Sequence, residues 1–259
     1  MLEEEKTQSC RIVDIHTHIL PGLDDGAQDW ETAVAMAELA VESGTAALVA
    51  TPHCGLPDQD LTETVDTIRR RLNRFRKMLT ERKLPLVLCE GMEIFGTPDT
   101  AQLLEQGRLL TLNHSRYPLI EFPFEDYGGE ATRILAQVRD LGYVPVVAHP
   151  ERYLYVQDKP ELLNLWADMG CLMQVNRGSL VGKFSETAGE LAWAMVARGF
   201  AFTVASDAHT HYARTPWMQD ARKELLREFS AEYVALLMEK RPLELLRNLA
   251  VSMDEPDWF

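Results

Sequence analysis

One pattern constrains this chain more than any other. Short apolar runs of strand character alternate with longer helical patterns from one end to the other, the signature of β-α units around a parallel sheet. Seven such runs occur: Arg11–Ile15, Ala46–Thr51, Leu86–Gly91, Leu119–Phe122, Val144–Ala148, Cys171–Val175 and Phe200–Ala205. Helical patterns fall near Trp30–Ser43, Thr62–Arg82, Thr100–Glu105, Glu130–Leu141, Pro160–Met169 and Thr187–Arg198, with more from Trp217 onward. Gly44, Gly142, Gly170 and Gly199 each follow a helical pattern and precede a strand, where a left-handed cap needs a residue without a Cβ. A closed α/β barrel follows more naturally than an open sheet, and 259 residues suit one such barrel, which typically takes about 250. No repeat, low-complexity tract or Pro/Ser-rich linker divides the chain, so 1–259 is expected to be a single domain.

Charge narrows the function. With 26 basic and 40 acidic side chains the formal net charge is −14. Such a field repels phosphates, which argues against nucleic acid or an anionic membrane as a general partner. The opening residues Met1–Lys6 have neither a basic start nor an apolar stretch. No later run approaches the roughly 18 apolar residues of a membrane span, so a cytoplasmic protein without direct membrane insertion is expected. Cys10, Cys54, Cys89 and Cys171 form no CxxC pair and read as free buried thiols. In the basic run Arg69–Lys77, Leu72, Phe75 and Leu79 share one helix face, and the charged side chains are expected to solvate the rest.

The unusual residues gather at strand ends. His16 and His18 follow the first strand, His53 the second and Glu93 the third; Glu121 ends the fourth, His149 the fifth, and Asp207 with His209 the seventh. In a parallel barrel these ends converge on the face where catalytic groups collect. Asp25 joins them from the long first loop. Five histidines and four carboxylates form a nitrogen and oxygen ligand set suited to manganese, iron or zinc. Nine ligands exceed the capacity of one ion, so two or three ions with a bridging carboxylate are expected. Any one histidine could be a packed core or loop residue; five at strand ends argue together. His114 and His211 are left outside the set, His114 as a surface-loop residue. Tyr127, Tyr153 and Tyr155 are candidates for the pocket rim.

Other hydrolase signatures fail on their own geometry. Cys171 to Arg177 has the C-x5-R spacing of cysteine phosphatases, but the residues between form a strand pattern spanning roughly 20 Å, too long for both ends to hold one phosphate. Gly178–Lys183 is one residue short of a nucleotide P-loop and is followed by Phe184 where Ser or Thr would hold magnesium. Neither HExxH nor GxSxG occurs.

The segments Asp14-Ile-His-Thr-His18, Thr51-Pro-His53, Gly91-Met-Glu93, Ile120-Glu-Phe122, Ala148-His-Pro-Glu-Arg152 and Ala205-Ser-Asp-Ala-His209 resemble the PHP (polymerase and histidinol phosphatase) superfamily. Within it, the opening His16-Thr-His-Ile-Leu-Pro-Gly-Leu-Asp-Asp-Gly26 and the motif spacing are similar to the bacterial tyrosine-protein phosphatases of capsule and exopolysaccharide loci, the CpsB/YwqE type. The resemblance spans Arg11 to about Arg247. It implies a distorted seven-stranded (β/α)7 TIM-like barrel with three divalent ions, typically manganese, with iron or zinc as alternatives. His16, His18, Glu93 and Asp207 would hold the first ion; Glu93, Glu121 and His149 the second; Asp25, His53 and His209 the third. Arg152 and Arg214 match the family's phosphate-binding positions, where guanidinium forks suit a phosphoryl dianion.

The expected activity is protein-tyrosine phosphatase (EC 3.1.3.48), with a metal-bound hydroxide as nucleophile. The substrate implied is a phosphotyrosyl protein, the tyrosine-rich tail of a bacterial tyrosine kinase. Two alternatives stay open: a phosphatase of histidinol phosphate or another small monoester, and a catalytically silent regulator that binds the kinase tail.

Overall fold

The computed structural model describes residues 11–55, 59–125, 127–252 and 256–259; Cys10 lies outside them. Nine strands are present among these residues: β1 (Ile12–Thr17), β2 (Thr45–Ala50), β3 (His53–Cys54), β4 (Val87–Glu90), β5 (Glu93–Phe95), β6 (Leu119–Glu121), β7 (Val146–Ala148), β8 (Leu172–Asn176) and β9 (Ala201–Ala205). They form two ladders, β1-β2-β4 and β3-β5-β6-β7-β8-β9, and every pairing is parallel.

The expected seven staves are all there, but the second and third are each broken into two strands. Pro52 separates β2 from β3 and has no N–H to offer a ladder; its carbonyl instead accepts from Glu93 N at 3.1 Å. Gly91 separates β4 from β5, and a Cβ there would lie 2.7 Å from Val49 Cγ1. The two breaks let the strand ends change partners, so β3 pairs with β5 while β2 keeps β1 and β4. On the other side, β9 closes onto β1. Thr17 and Ala208 bridge in parallel, Asp207 N donates to His16 O at 2.9 Å, and His18 N donates to Ala208 O at 2.8 Å.

Helices fill the connections: α1 (Trp30–Glu42), α2 (Leu61–Glu81), α3 (Thr100–Glu105), α4 (Gly129–Asp140), α5 (Leu154–Asp158), α6 (Glu161–Asp168), α7 (Arg177–Leu180), α8 (Glu186–Ala197), α9 (Gln219–Glu228), α10 (Ala231–Ala235) and α11 (Arg241–Leu246). Side-chain oxygens of Asp29, Asp60 and Ser185 cap α1, α2 and α8 by accepting from otherwise unpaired first-turn N–H groups. The strands alternate between two apolar clusters with period two. Val13, Ile15, Val49, Leu119 and Val146 join Leu245 and Leu246 of α11. Ile12, Leu48, Ile120 and Val147 join the larger cluster built with α1, α2, α4, α6 and α8.

Helix α2 buries Leu72, Phe75 and Leu79 as its pattern requires, but its arginines do not simply solvate it. Arg69 reaches Glu90 at 3.2 Å, Arg76 donates to Leu88 O at 2.8 Å, Arg71 donates to Pro21 O, and Arg74 lies 4.4 Å over the Trp30 ring. Their long stems run back over apolar surface to reach these acceptors, which a charge count along the sequence does not register.

The first loop folds tightly on β1: Ala27 N donates to His18 O at 3.0 Å and Gly22 N to Ala27 O at 2.8 Å. A Cβ on Gly26 would sit 2.2 Å from His18 O and 2.9 Å from His18 C, both main-chain atoms, and 2.4 Å from His18 Cβ. Gly26→Ala is therefore expected to destabilise the fold by about 1–3 kcal/mol through overpacking. Thermal unfolding measures this, and a wild-type Tm would show that the loop can lift away freely.

Candidate metal centre

All nine residues singled out in the sequence meet at one face. They fall into four overlapping groups: His18 with Asp25, His53 and His209; His16 with His18 and Asp207; His16 with Glu93 and His149; and His53 with Glu93 and Glu121. Within each group the ligating atoms lie within 4.8 Å of one another, a spacing that one ion can bridge. Glu93 is the hub. Its carboxylate lies 3.2 Å from His16 Nε2, 3.3 Å from His18 Nε2, 3.0 Å from His53 Nδ1 and 3.1 Å from His149 Nε2. Asp25 forms the outer corner, 3.5 Å from His53 Nε2 and 3.3 Å from His209 Nε2, and is two-thirds exposed. Glu121 stands 3.5 Å from His149.

The backbone is bent to make this possible. His149 and Asp207 both hold left-handed conformations, with φ of 32° and 50°. Non-glycine residues seldom take up such angles unless surrounding structure enforces them, and such strain concentrates at functional sites.

Outer hydrogen bonds orient the rings. Gln174 Oε1 lies 2.8 Å from His16 Nδ1, and Asp24 Oδ2 lies 2.7 Å from His18 Nδ1. Each acceptor calls for the proton on Nδ1, which turns the Nε2 lone pair toward Glu93 and Asp207. His209 Nδ1 likewise faces the Asp207 carbonyl at 3.1 Å, leaving Nε2 toward Asp25. Asp24 also accepts from His53 N at 2.9 Å and Gly26 N at 2.9 Å, tying the first loop to β3. Asn176 Nδ2 donates to Asp207 Oδ2 at 2.6 Å, and buried Glu151 accepts from Asn176 N and Ser179 Oγ at 2.9 and 2.7 Å. Sequence reasoning missed Asp24, Gln174, Asn176 and Glu151. Asp24 adjoins an expected ligand, and Gln174 and Asn176 alternate along β8 toward its C-terminal end, which was the available signal.

The electrostatics suit a cation. Burial pushes Glu93 and Asp207 up, but the surrounding histidines, and for Asp207 also Arg214, outweigh it and hold both well below the carboxylate range. Burial pushes His149 down to about 4, and burial with the nearby His18 pushes His209 to about 3, leaving neutral rings able to donate lone pairs. Burial and the Glu93 charge raise Glu121 to about 7. His18 shows the opposite balance: burial lowers it, but Asp207, Asp24 and Glu93 raise it well above its ordinary value. The carboxylates thus favour positive charge between them, and a divalent ion would meet that demand by displacing the proton. Glu93 Oε2, Asp207 Oδ1 and His209 Nε2 are moreover buried without a hydrogen-bond partner, as ligand atoms would be. The residues fit the ions.

A cavity of about 310 Å³ opens over the cluster, with Phe95 and Phe124 on its wall and Arg152 and Arg214 at its edge. Both arginines reach the same oxygen, Asp207 Oδ2, Arg152 at 3.1 Å. Arg152 is fixed between two rings, 4.8 Å from the Phe124 centroid and 4.2 Å from that of Phe184. Arg214 Nε is buried without a hydrogen-bond partner.

The tyrosines do not form the rim. Tyr153 is fully buried, accepting from Phe122 N at 3.1 Å and donating to Ala148 O at 2.7 Å; Tyr155 stacks on it, and Tyr127 is absent from the cavity wall. Phe124 takes the place expected of them, because the β6-α4 loop carries it over His149 at 5.9 Å. His114 and His211 are exposed and outside the groups. The C-x5-R pair is inert: burial pushes the Cys171 thiol up to about 12, while Arg177 pairs with Asp220.

A closed parallel β/α barrel carrying a histidine and carboxylate cluster at its strand ends defines a metal-binding barrel protein. The family model for capsular polysaccharide synthesis, CpsB/CapC, matches residues 12–247, and the chain belongs to that family. It is 34% identical over 245 residues to the tyrosine-protein phosphatase YwqE of Bacillus subtilis, covering 95% of each chain. It is 29% identical to the tyrosine-protein phosphatase CpsB of Streptococcus pneumoniae, over 92% of this chain and 99% of that one. Among solved structures, a chain from crystal structures of those two proteins, described as unique metal-dependent tyrosine phosphatases, matches with a TM-score of 0.88 and 33% identity. The match covers 96% of this chain and 99% of that one.

Two outcomes are expected. Asp24→Asn removes the carboxylate that orients His18, and metal affinity should fall about 10–100-fold, read by competition with a chromophoric chelator; equal affinity would refute the orienting role. Cys171→Ala should keep metal-dependent hydrolysis, and native Cys171 should resist iodoacetamide at pH 8 until the protein is unfolded, as site-resolved mass spectrometry would report.

Proposed function

We propose that this chain is a metal-dependent protein-tyrosine phosphatase acting in the cytoplasm on a phosphotyrosyl protein. The observation that carries the reading is the convergence of all nine ligand candidates beneath a cavity edged by two arginines, in a chain closely related to tyrosine phosphatases. Three ions are proposed: the first on His16, His18, Glu93 and Asp207, the second on Glu93, Glu121 and His149, the third on Asp25, His53 and His209. Parts of this division match the groups: His16, His18 and Asp207 fall together, as do Asp25, His53 and His209 with His18 beside them. Glu93 groups both with His16 and His149 and with His53 and Glu121, and is so within reach of more than one ion. A set of nitrogen and oxygen donors without thiolate suits manganese, iron or zinc, and the family resemblance favours manganese among them.

Divalent ions held there would supply Lewis acidity, lowering the pKa of coordinated water toward about 7 and offsetting phosphoryl charge. The chain's own groups do the rest. Arg152 and Arg214 converge on Asp207 Oδ2 at the cavity edge, where their remaining N–H groups can donate to phosphoryl oxygens. Phe124 and Phe184 restrict the Arg152 guanidinium, so less freedom is lost when it binds. Phe95 and Phe124 offer apolar surface to the substrate's ring and exclude water beside it. A phenol leaves with a pKa near 10, so its oxygen needs less help from a general acid than an alkyl leaving group does.

The partner proposed is the tyrosine-rich tail of a bacterial tyrosine kinase governing capsule or exopolysaccharide synthesis; the family's description supports the capsule role, and the kinase tail rests on the family resemblance alone. No helix among the described residues is long and apolar enough to cross a membrane, which is compatible with a cytoplasmic site.

With manganese supplied, a phosphotyrosyl peptide should be hydrolysed faster than histidinol phosphate at equal enzyme, and chelation should stop turnover until manganese is restored. Preference for histidinol phosphate would move the protein to the small-monoester reading, and inactivity on both would favour a silent binding protein. His149→Ala should abolish turnover with the circular dichroism spectrum unchanged, while Arg152→Ala and Arg214→Ala should each lower kcat/KM about 100-fold.

A further inference from the structure

Beside the metal cavity lies a second one, of about 270 Å³, and the two share a wall: Phe124 and Arg152 line both. Leu154, Phe184 and Ala188 also line this second cavity. Phe124 and Leu154 are among the few large apolar residues that stand exposed, at 37% and 48%, and here they face one hollow. Their backbones are joined, Leu154 N donating to Phe124 O at 3.0 Å, so the hollow has a fixed frame.

Two of the polar side chains around it already make hydrogen bonds. Gln157 Nε2 donates to Glu151 O at 2.8 Å, and Ser185 Oγ accepts from Ala188 N at 3.2 Å as the cap of α8. Arg152 packs its guanidinium over both the Phe124 and Phe184 rings and donates to Asp207. What remains toward the hollow is chiefly ring and aliphatic surface, with the Glu125 carboxylate at its border. Water on such surface is readily given up to another apolar group.

We propose that this hollow is a specificity subsite that receives a large apolar side chain, aromatic or branched aliphatic, from the residue next to the phosphotyrosine. The inference rests on the phosphatase reading, since a phosphate seated against Arg152 and Arg214 brings the flanking peptide past Phe124. The occupant is apolar because the wall is chiefly ring and aliphatic surface, and Glu125 disfavours an acidic neighbour. Phe124 then serves both cavities, since it lines each of them.

The test uses the metal-loaded full chain and phosphotyrosyl peptides in which one flanking residue at a time is Phe, Leu, Gly, Glu or Lys. On one flank, kcat/KM for Phe or Leu should exceed that for Gly about ten-fold, as burial of one such side chain allows, with Glu the poorest. Leu154→Ser removes the exposed wall and keeps the backbone bond; it should erase the preference, judged as the ratio to kcat/KM on free phosphotyrosine. The same ranking should appear in equilibrium binding of peptides bearing a non-hydrolysable difluoromethylphosphonate in place of the phosphate. Equal rates across the series, preference for Glu or Lys, or a preference that survives Leu154→Ser would overturn the subsite. Failure to hydrolyse free phosphotyrosine and every peptide of the series would instead overturn the phosphatase reading, and the binding series would still test the subsite.

Discussion

The site depends on the seam where β9 closes onto β1. Asp14 and Ser206 are 192 positions apart, yet the Asp14 carboxylate accepts from Ser206 N at 3.0 Å and from His16 N at 3.3 Å. Asp207 N and His18 N donate across the same seam to His16 O and Ala208 O. These bonds join the first motif of the chain to the last without any help from the metal-facing side chains. Asp14 is fully buried, and burial raises its pKa against the lowering effect of those bonds. A buried acid with this role cannot be exchanged for an apolar residue of equal size, because Ser206 N would be left unpaired. Register at the seam therefore sets the distance from His16 and His18 to Asp207, and the rest of the cluster builds outward from that.

Buried charge is the second constraint. Glu93 and Asp207 are almost wholly removed from water, and anions in that position are costly unless paired. Histidines meet Glu93 from four sides, and Asp207 has Arg152, Arg214 and Asn176 on one oxygen while the other faces His16 and His18. The split across Asp207 is functional geometry. Its inner oxygen is available to a cation, while its outer oxygen holds both arginines at the cavity edge. Folding and ion binding are then coupled, since an ion that binds only the assembled cluster stabilises the fold by mass action.

The strand ends were legible in the sequence because a parallel barrel brings them together regardless of how many residues intervene. His16, His53, Glu93, His149 and Asp207 could be placed by counting β-α units, and the structure brings the three histidines to Glu93 and Asp207 to His16. The breaks at Pro52 and Gly91 were less visible, since the apolar pattern runs through both. Side chains that act by direction were not legible at all. Arg69, Arg71, Arg74 and Arg76 look like a solvated face but bend back to Glu90, Pro21, Trp30 and Leu88, a choice made by tertiary neighbours. Tyr153 and Phe124 exchange their expected roles for the same reason: Tyr153 finds backbone partners for its hydroxyl inside, and Phe124 has no polar atom to satisfy and can stay at the mouth. Asp24 was concealed beside Asp25, two adjacent acids of which one turns inward to His18 and the other outward to His53 and His209.

The net charge of −14 acquires a sharper meaning in this setting. A general acidic surface repels extended polyanions, whose many phosphates would meet it at once. A single phosphate meets only the field at the cavity, where two guanidinium groups stand over carboxylates already matched by histidines or, in the proposed loaded state, by divalent ions. Entry of a phosphoryl group would then compete with Asp207 for the N–H groups of Arg152 and Arg214, and the competition is local because rings hold Arg152 in place. The acidic exterior and the arginine-edged cavity thus select together: the first rejects long anions, and the second admits one dianion whose organic part can lie against Phe95 and Phe124. A flat aromatic ester satisfies both conditions better than a small charged alkyl phosphate, which would leave those two rings facing water.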